Sequence, residues 1–531
     1  MNVFNVFFGQ LVVLATIVFG QRVLVPDEER HAAHWEKEGQ KNLHASLRMR
    51  NINTVAKNVI FFLGDGMGIT TVTAMRILKG QKNKKGGEDE LLVFDQFPFV
   101  SLSKTYGIDR QTSDSANTAT AYLCGVKANY GTLGLDGRAM FENCSSATDL
   151  SRHVTSILKW AQDEGKWTGF VTTTRVTHAT PAGLFAHSAS RNWESETPDD
   201  DCKDIAQQLV QDIPGKDIRV IMGGGTKHFV PETETDRHGN LGARKDSKNL
   251  LKEWLDDKDS RKAKARVIHD AEELRRLNPD NVDYLMGLFN SDHLPYVADR
   301  VDLDKEYPSL TEMTDVAIKI LSRNPKGYFL LVEGGSIDIA HHQNWAQKAL
   351  IEGVEFDKAI GSAVELTSEE DTLIVVTADH SHTFTFGGDY PLRGTNILGL
   401  GGVSDMDNRT FTTLGYHNGP GYREDARKHN LTQEAVLEKD FRQESSLPLL
   451  YETHGGEDVA VYAKGPMAHL FHGVHDQSYI PYVMGYASCV GPNQAHCNAA
   501  WSLLTPSHWT ALLRFVTIGV ATYAYSIRSL V

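Results

Sequence analysis

The sequence predicts an α/β fold, a three-layer sandwich around a central, mostly parallel sheet with an insertion on its surface. Three observations carry this. Short apolar, β-rich runs end in polar or glycine-rich turns at 59–63, 169–173, 220–222, 328–332 and 372–377. Helical patterns lie between them, and strands alternating with helices imply a parallel sheet covered on both faces. From 384 to 451 periodicity weakens and Gly, Asn, Asp and Arg accumulate, which reads as an insertion placed before His454.

The ends read as processing signals. Residues 6–19 are apolar except for Gly9 and Gln10 and lead into Gly20-Gln21. That is short for a span of about 20 residues, so 1–20 reads as a secretory signal cleaved after Gly20. At the other end, 509–525 is apolar apart from Arg514 and a few hydroxyls. A polar spacer precedes it, and before that stands Asn498-Ala499-Ala500, the pattern of a glycosylphosphatidylinositol signal. This predicts lipidation at Asn498, removal of 499–531 and a mature chain of 21–498. A single membrane-spanning helix is the rival.

Along the mature chain, 148–162 reads as one helix, with Leu150, Val154, Ile157, Leu158 and Ala161 at helical spacing and Gly165 as its stop. The five cysteines suit an oxidising compartment. Cys489 and Cys497 close a short loop, Cys144 and Cys202 are the other plausible pair, and Cys124 would stay a buried thiol. Connectivity is open at this stage. Asn143, Asn408 and Asn430 head glycosylation sequons. The net charge of −14 argues against nucleic acid as a partner but admits small anions at a metal cluster.

The predicted strand ends carry metal-ligand chemistry: Asp65 after the first, His178 and Thr180 after the second, Glu333 at the fourth, Asp379-His380 at the fifth. In such sheets ligands gather at the carboxyl ends of strands. Asp338 and His342, at i and i+4, project from one helix face and can bind one zinc. Alone the pair reads equally well as an exposed, capped helix. Hardness sorts the rest. Asp65, Thr180 and Glu333 form an oxygen-only magnesium set. Asp338, His342 and a further histidine hold one zinc, and Asp65, Asp379 and His380 a second. Asp114-Ser115 opens an Ala-rich helix, which places Ser115 at its positive end, although Ser and Asp are also ordinary caps.

The motifs FLGDGMG (62–68), Asp114-Ser115 with TATAYLCG (118–125), VTTTR (171–175) with His178-Ala179, Arg191-Asn192-Trp193, VEGG (332–335), TADHSH (377–382) and THGGEDV (453–459) follow in one order. The set resembles metazoan alkaline phosphatases of the tissue, membrane-anchored kind over roughly residues 45–490. The resemblance implies Ser115 as phosphorylated nucleophile, His454 as the further zinc ligand, and Arg191 gripping phosphate, with His178 beside the substrate. It implies two zinc ions and one magnesium ion per subunit, phosphate monoesters as substrates, and a homodimer on the outer face of the plasma membrane. The 384–451 insertion would form a crown over the site. Two positions depart from vertebrate members: Ile339 stands where a second histidine follows Asp338, and Asn290 where a glutamate serves a calcium ion, which leaves calcium weakly supported. The rivals are a catalytically silent surface receptor on this fold, or a related sulfatase or phosphodiesterase.

Overall fold

The computed structural model describes residues 26–497, apart from 200, 238, 301, 302, 304, 389, 390 and 426–429. The 1–20 signal, Asn498 and the 499–531 signal lie outside the described residues. Seventeen strands are described. They are β1 (Asn58–Leu63), β2 (Phe99–Lys104), β3 (Trp167–Arg175), β4 (Val220–Gly224), β5 (Ala265–Ile268), β6 (Tyr284–Leu288), β7 (Tyr328–Glu333), β8 (Thr372–Thr377), β9 (Ser381–His382), β10 (Phe384–Phe386), β11 (Leu400–Val403), β12 (Thr410–Thr412), β13 (Leu414–Gly419), β14 (Ser445–Pro448), β15 (His454–Gly455), β16 (Val459–Lys464) and β17 (Val474–Asp476).

Ten of them form one sheet, in the order β17-β2-β16-β8-β1-β7-β3-β4-β6-β5. It is parallel except at β16, which runs antiparallel to β2 and β8. The predicted runs are its centre, with β1 paired to β7 and β8 in register. Every residue of β1 is buried, as a strand covered on both faces requires.

Alternation along β1 separates the two faces. Ile60 and Phe62 pack with Met75, Ile318 and Phe356, from helices Ile69–Lys82, Leu310–Leu321 and Ala346–Leu366. Val59, Phe61 and Leu63 pack with Ala119, Leu158 and Met484, from helices Ser115–Cys124, Ile157–Asp163 and Tyr479–Ser488. This is the three-layer arrangement.

The single helix expected over 148–162 is broken. A short helix, Cys144–Thr148, is followed by a 3-10 turn, Leu150–Arg152, and the next helix starts only at Ile157. Polar side chains explain the break. Asp149 accepts from the Ser151 N–H, and Ser156 accepts from the Lys159 N–H as an N-cap, so both compete with continued helix. Leu150, counted as apolar face, is 77% exposed. The stop at Gly165 holds, with a φ of +76°.

Cys144 is bonded to Cys202 and Cys489 to Cys497, with Cα separations of 5.8 and 5.9 Å. Cys124 is a buried free thiol, pushed up to about 12 by burial. Segment 384–451 builds small sheets apart from the large one, β10-β13-β14 and β11-β12. Among the described residues, no helix is long and apolar enough to cross a membrane.

Candidate active site and metal centre

The site lies at the carboxyl ends of β1, β3, β7 and β8, as the strand-end argument anticipates. The turn after β1 presents Asp65, and Gly66 has a φ of +67°. A Cβ at Gly66 would lie 2.3 Å from His382 Nε2, so glycine is required for the backbone to pass here. The Gly66 N–H donates to Asp379 Oδ1 at 2.9 Å, which links the ends of β1 and β8.

Asp114 caps helix Ser115–Cys124. Its side chain accepts from the Asn117 N–H, and the Asn117 side chain accepts from the Asp114 N–H, a capping box. The helix ends at Gly125 in the left-handed region. Ser115, its first residue, is buried, with Oγ 3.4 Å from His380 Nε2. Asp114 also accepts from Arg191 Nη1 at 3.0 Å, while Arg191 Nη2 donates to His178 Nε2 at 3.1 Å.

The candidate ligands lie close together, and the clusters they form also take in His382 and Glu452. His380 Nε2 lies 3.1 Å from Asp379 Oδ2 and 3.7 Å from Asp65 Oδ1. Asp338 Oδ1 is 3.3 Å from His342 Nε2 and 3.4 Å from His454 Nε2. The His380 and His454 rings stack with centroids 3.5 Å apart, so the two candidate ligand groups adjoin. Asp65 and Glu333 bring oxygens together with His178, and Thr180 is fully buried on the turn after β3.

Whether these groups fit metal ions is decided by their unpaired oxygens. Both Asp65 oxygens, Asp379 Oδ2, Glu333 Oε1 and Thr180 Oγ1 are buried without a hydrogen-bond partner. Buried polar atoms are normally satisfied, and orphaned carboxylate oxygens in one place call for cations. Electrostatics agrees. Burial first, then Asp379, Asp338 and Glu333, push Asp65 well above the usual carboxylate range. Burial pushes Glu333 to about 7 and raises Asp379. Burial would raise Asp338 too, but His342, His382 and His454 outweigh it and hold Asp338 well below its ordinary value. Bound cations would relieve the repulsion among these carboxylates. Burial and Arg191 hold His178 well below the imidazole range, so it is neutral and accepts from Arg191.

Several supporting residues escape a reading by motif. Thr172 and Thr174 hydroxyls both meet Glu333 Oε2. His382 bridges Asp338 and Glu452. His382 stands inside the Asp379–His382 motif and could have been flagged there; Glu452 precedes Thr453-His454 with no signal of its own. Calcium finds no carboxylate at Asn290, whose side chain donates to the His293 carbonyl and whose own carbonyl accepts from Gly225, Thr226 N–H and the Thr226 hydroxyl. Nearby Asp292 is already paired with Arg175 and Lys227.

The alkaline phosphatase family profile matches residues 56–490. The chain is 51% identical over 512 residues to the tissue-nonspecific isozyme of alkaline phosphatase from Rattus norvegicus, covering 94% of this chain and 96% of that protein. It is 50% identical over 484 residues to an alkaline phosphatase from Gadus morhua, covering 88% and 99%. Among solved structures, the cold-active alkaline phosphatase from Shewanella sp. superposes with a TM-score of 0.59 at 26% identity, covering 81% of this chain and 99% of that one. With the fold, the strand-end ligands and these likenesses in agreement, the chain belongs to the alkaline phosphatase family, enzymes that hydrolyse phosphate monoesters.

Proposed function

We propose that hydrolysis here passes through a phosphoserine on Ser115, at a site loaded with two zinc ions and one magnesium ion. The observation that carries this is the set of orphaned buried oxygens on Asp65, Asp379, Glu333 and Thr180 beside the Ser115 helix terminus. Asp65, Asp379 and His380 would hold one zinc, Asp338, His342 and His454 the other, and Asp65, Thr180 and Glu333 magnesium. When bound, such ions act as Lewis acids on the entering and leaving oxygens of an in-line displacement.

The chain's own part is to place and hold the reactants. Arg191, fixed by Asp114, offers its remaining N–H groups to the phosphate, a task for which a planar guanidinium is suited. Ser115 Oγ attacks phosphorus, the ester P–O bond breaks, and the alcohol departs with a proton. Water then attacks phosphorus from the opposite side, the Ser115 O–P bond breaks, and inorganic phosphate leaves as Ser115 regains its proton. Recognition rests on the phosphate, so a broad range of monoesters is accepted.

The terminal signals support a secreted chain, anchored by lipid at Asn498 to the outer face of the plasma membrane. The three sequon asparagines, Asn143, Asn408 and Asn430, are exposed, as glycosylation requires. Helix Ala32–Leu47 buries none of its residues and leaves Trp35, Leu43 and Leu47 more than half exposed. Such a helix is marginal by itself, which favours a homodimer in which it docks on a second copy, with 384–451 as the crown.

The test is turnover of a phosphate monoester at alkaline pH by residues 21–498, beside Ser115→Ala and the chelated parent. Activity lost in both supports the reading. A folded, zinc-loaded parent without turnover would favour the receptor reading, and faster turnover of the matching sulfate or diester would favour those enzymes.

A further inference from the structure

Glu452 is 1% exposed and stands between segment 384–451 and the ligand His454. It touches one zinc set twice. Its backbone carbonyl accepts from His342 Nδ1 at 2.5 Å, and its N–H donates to the His342 carbonyl at 2.9 Å. Its carboxylate Oε2 accepts from His382 Nδ1 at 2.5 Å, and His382 Nε2 in turn donates to Asp338 Oδ1 at 2.8 Å. The other carboxylate oxygen, Oε1, accepts from the Thr383 N–H and hydroxyl, both at 2.6 Å.

Thr383 immediately precedes the 384–451 segment and Glu452 immediately follows it. One carboxylate therefore closes the two ends of that segment and reaches Asp338 through His382. The same residue's backbone fixes the ring of His342. We infer that Glu452 is a positioning residue for the zinc set Asp338, His342 and His454, and that it makes the closure of segment 384–451 a condition for tight metal binding there. This rests on the two-zinc reading proposed above.

The physical reason is ligand orientation. An imidazole that binds metal through Nε2 needs its Nδ1–H fixed by an acceptor, and a ligating carboxylate needs its own partner; losing such partners typically costs roughly 10–100-fold in metal affinity. The other set is supported differently. Asp379 Oδ1 accepts from the Gly66 and His380 N–H groups, and His380 Nδ1 faces the Ser381 carbonyl at 3.2 Å. The effect of Glu452 should accordingly fall on one zinc and spare the other.

The experiment is zinc retention by the full, metal-loaded protein against a graded chelator, counted as zinc per chain and read beside thermal unfolding. Glu452→Gln keeps size and an acceptor for Thr383 but presents an amide N–H to the His382 N–H. We expect the parent to hold two zinc ions and the variant to release one of them about 10–100-fold more readily, with the second retained as in the parent. In cobalt-loaded protein, the visible spectrum of that one site should change. Retention of both ions as tightly as the parent, or loss of both in step with a lowered Tm, would overturn the inference. Should Glu452→Gln fail to fold, His382→Ala tests the link to Asp338 and Thr383→Val weakens the closure at Glu452 Oε1; retention of both zinc ions as tightly as the parent in both variants would overturn the inference. A parent that binds fewer than two zinc ions would contradict the two-zinc reading itself.

Discussion

Asp114 and Arg191 form a pair, with Arg191 Nη1 3.0 Å from Asp114 Oδ2 and the aspartate 1% exposed. The same aspartate caps the helix that begins at Ser115. One side chain thus holds both the helix start that carries the proposed nucleophile and the guanidinium proposed to grip phosphate. Asp114→Asn separates the two roles, since asparagine is an equally good cap. Phosphate inhibition should weaken by at least about tenfold, or about 1.4 kcal/mol, with little change in Tm. An unchanged inhibition constant would show that Arg191 does not depend on Asp114.

Metal removal should expose the carboxylate repulsion. In the metal-free protein Glu333 is raised from 4.5 to about 7 by burial. A raised carboxylate stabilises the fold fully below its unfolded value and loses that contribution as pH rises through the folded value. The window is therefore about pH 4.5 to 7. Glu333→Gln removes the loss, so the chelated variant's advantage over the chelated parent should grow from little at pH 4.5 to on the order of 3 kcal/mol by pH 7. With metals restored the order should reverse, because the parent keeps a proposed ligand that the variant lacks. Parallel unfolding curves at every pH would refute this.

Ile339 is half-buried and follows Asp338 directly. An imidazole there would add a titrating polar group next to a proposed zinc ligand, where such neighbours tune metal affinity and bound water. Ile339→His should shift the pH profile of kcat/KM. A superimposable profile would remove the idea that this position sets the pH behaviour.

The two disulfides should differ in worth. Cys144–Cys202 spans 58 residues and Cys489–Cys497 spans 8. Loop-closure entropy then assigns about 4 kcal/mol to the first and about 2.5 kcal/mol to the second. Paired Cys→Ala variants followed by denaturant unfolding test the ranking, and equal losses would contradict it.

Much of this candidate site is legible in the sequence because several candidate ligands sit where an unambiguous strand ends. Runs such as 372–377 are too short and too β-branched to be anything else, and Asp379-His380 follows at once. Asp338 and His342 are legible only in part, because their helical spacing alone reads equally well as an exposed, capped helix. His454 is not legible, because it lies on β15, a strand of two residues that among the described residues pairs only with β9. No local pattern marks such a position, and only the family resemblance supplied it. Glu452 is hidden for the same reason, since its value lies in contacts to His342, His382 and Thr383 that are distant in sequence. The 148–162 helix misled in the other direction: apolar spacing was right for a helix, but Asp149 and Ser156 bond the backbone locally and end it. Weak periodicity over 384–451 likewise concealed the strands β10 to β14, of which β10 and β14 are short and largely exposed and β11 and β12 span four and three residues.

The central claim is a covalent phosphate on Ser115. The most direct measurement is acid quenching of the metal-loaded protein during turnover of a phosphate monoester, followed by peptide mass spectrometry. One phosphorylated peptide is expected, carrying the phosphate on Ser115 and absent in Ser115→Ala. Sustained turnover with no phosphate on Ser115 would contradict it.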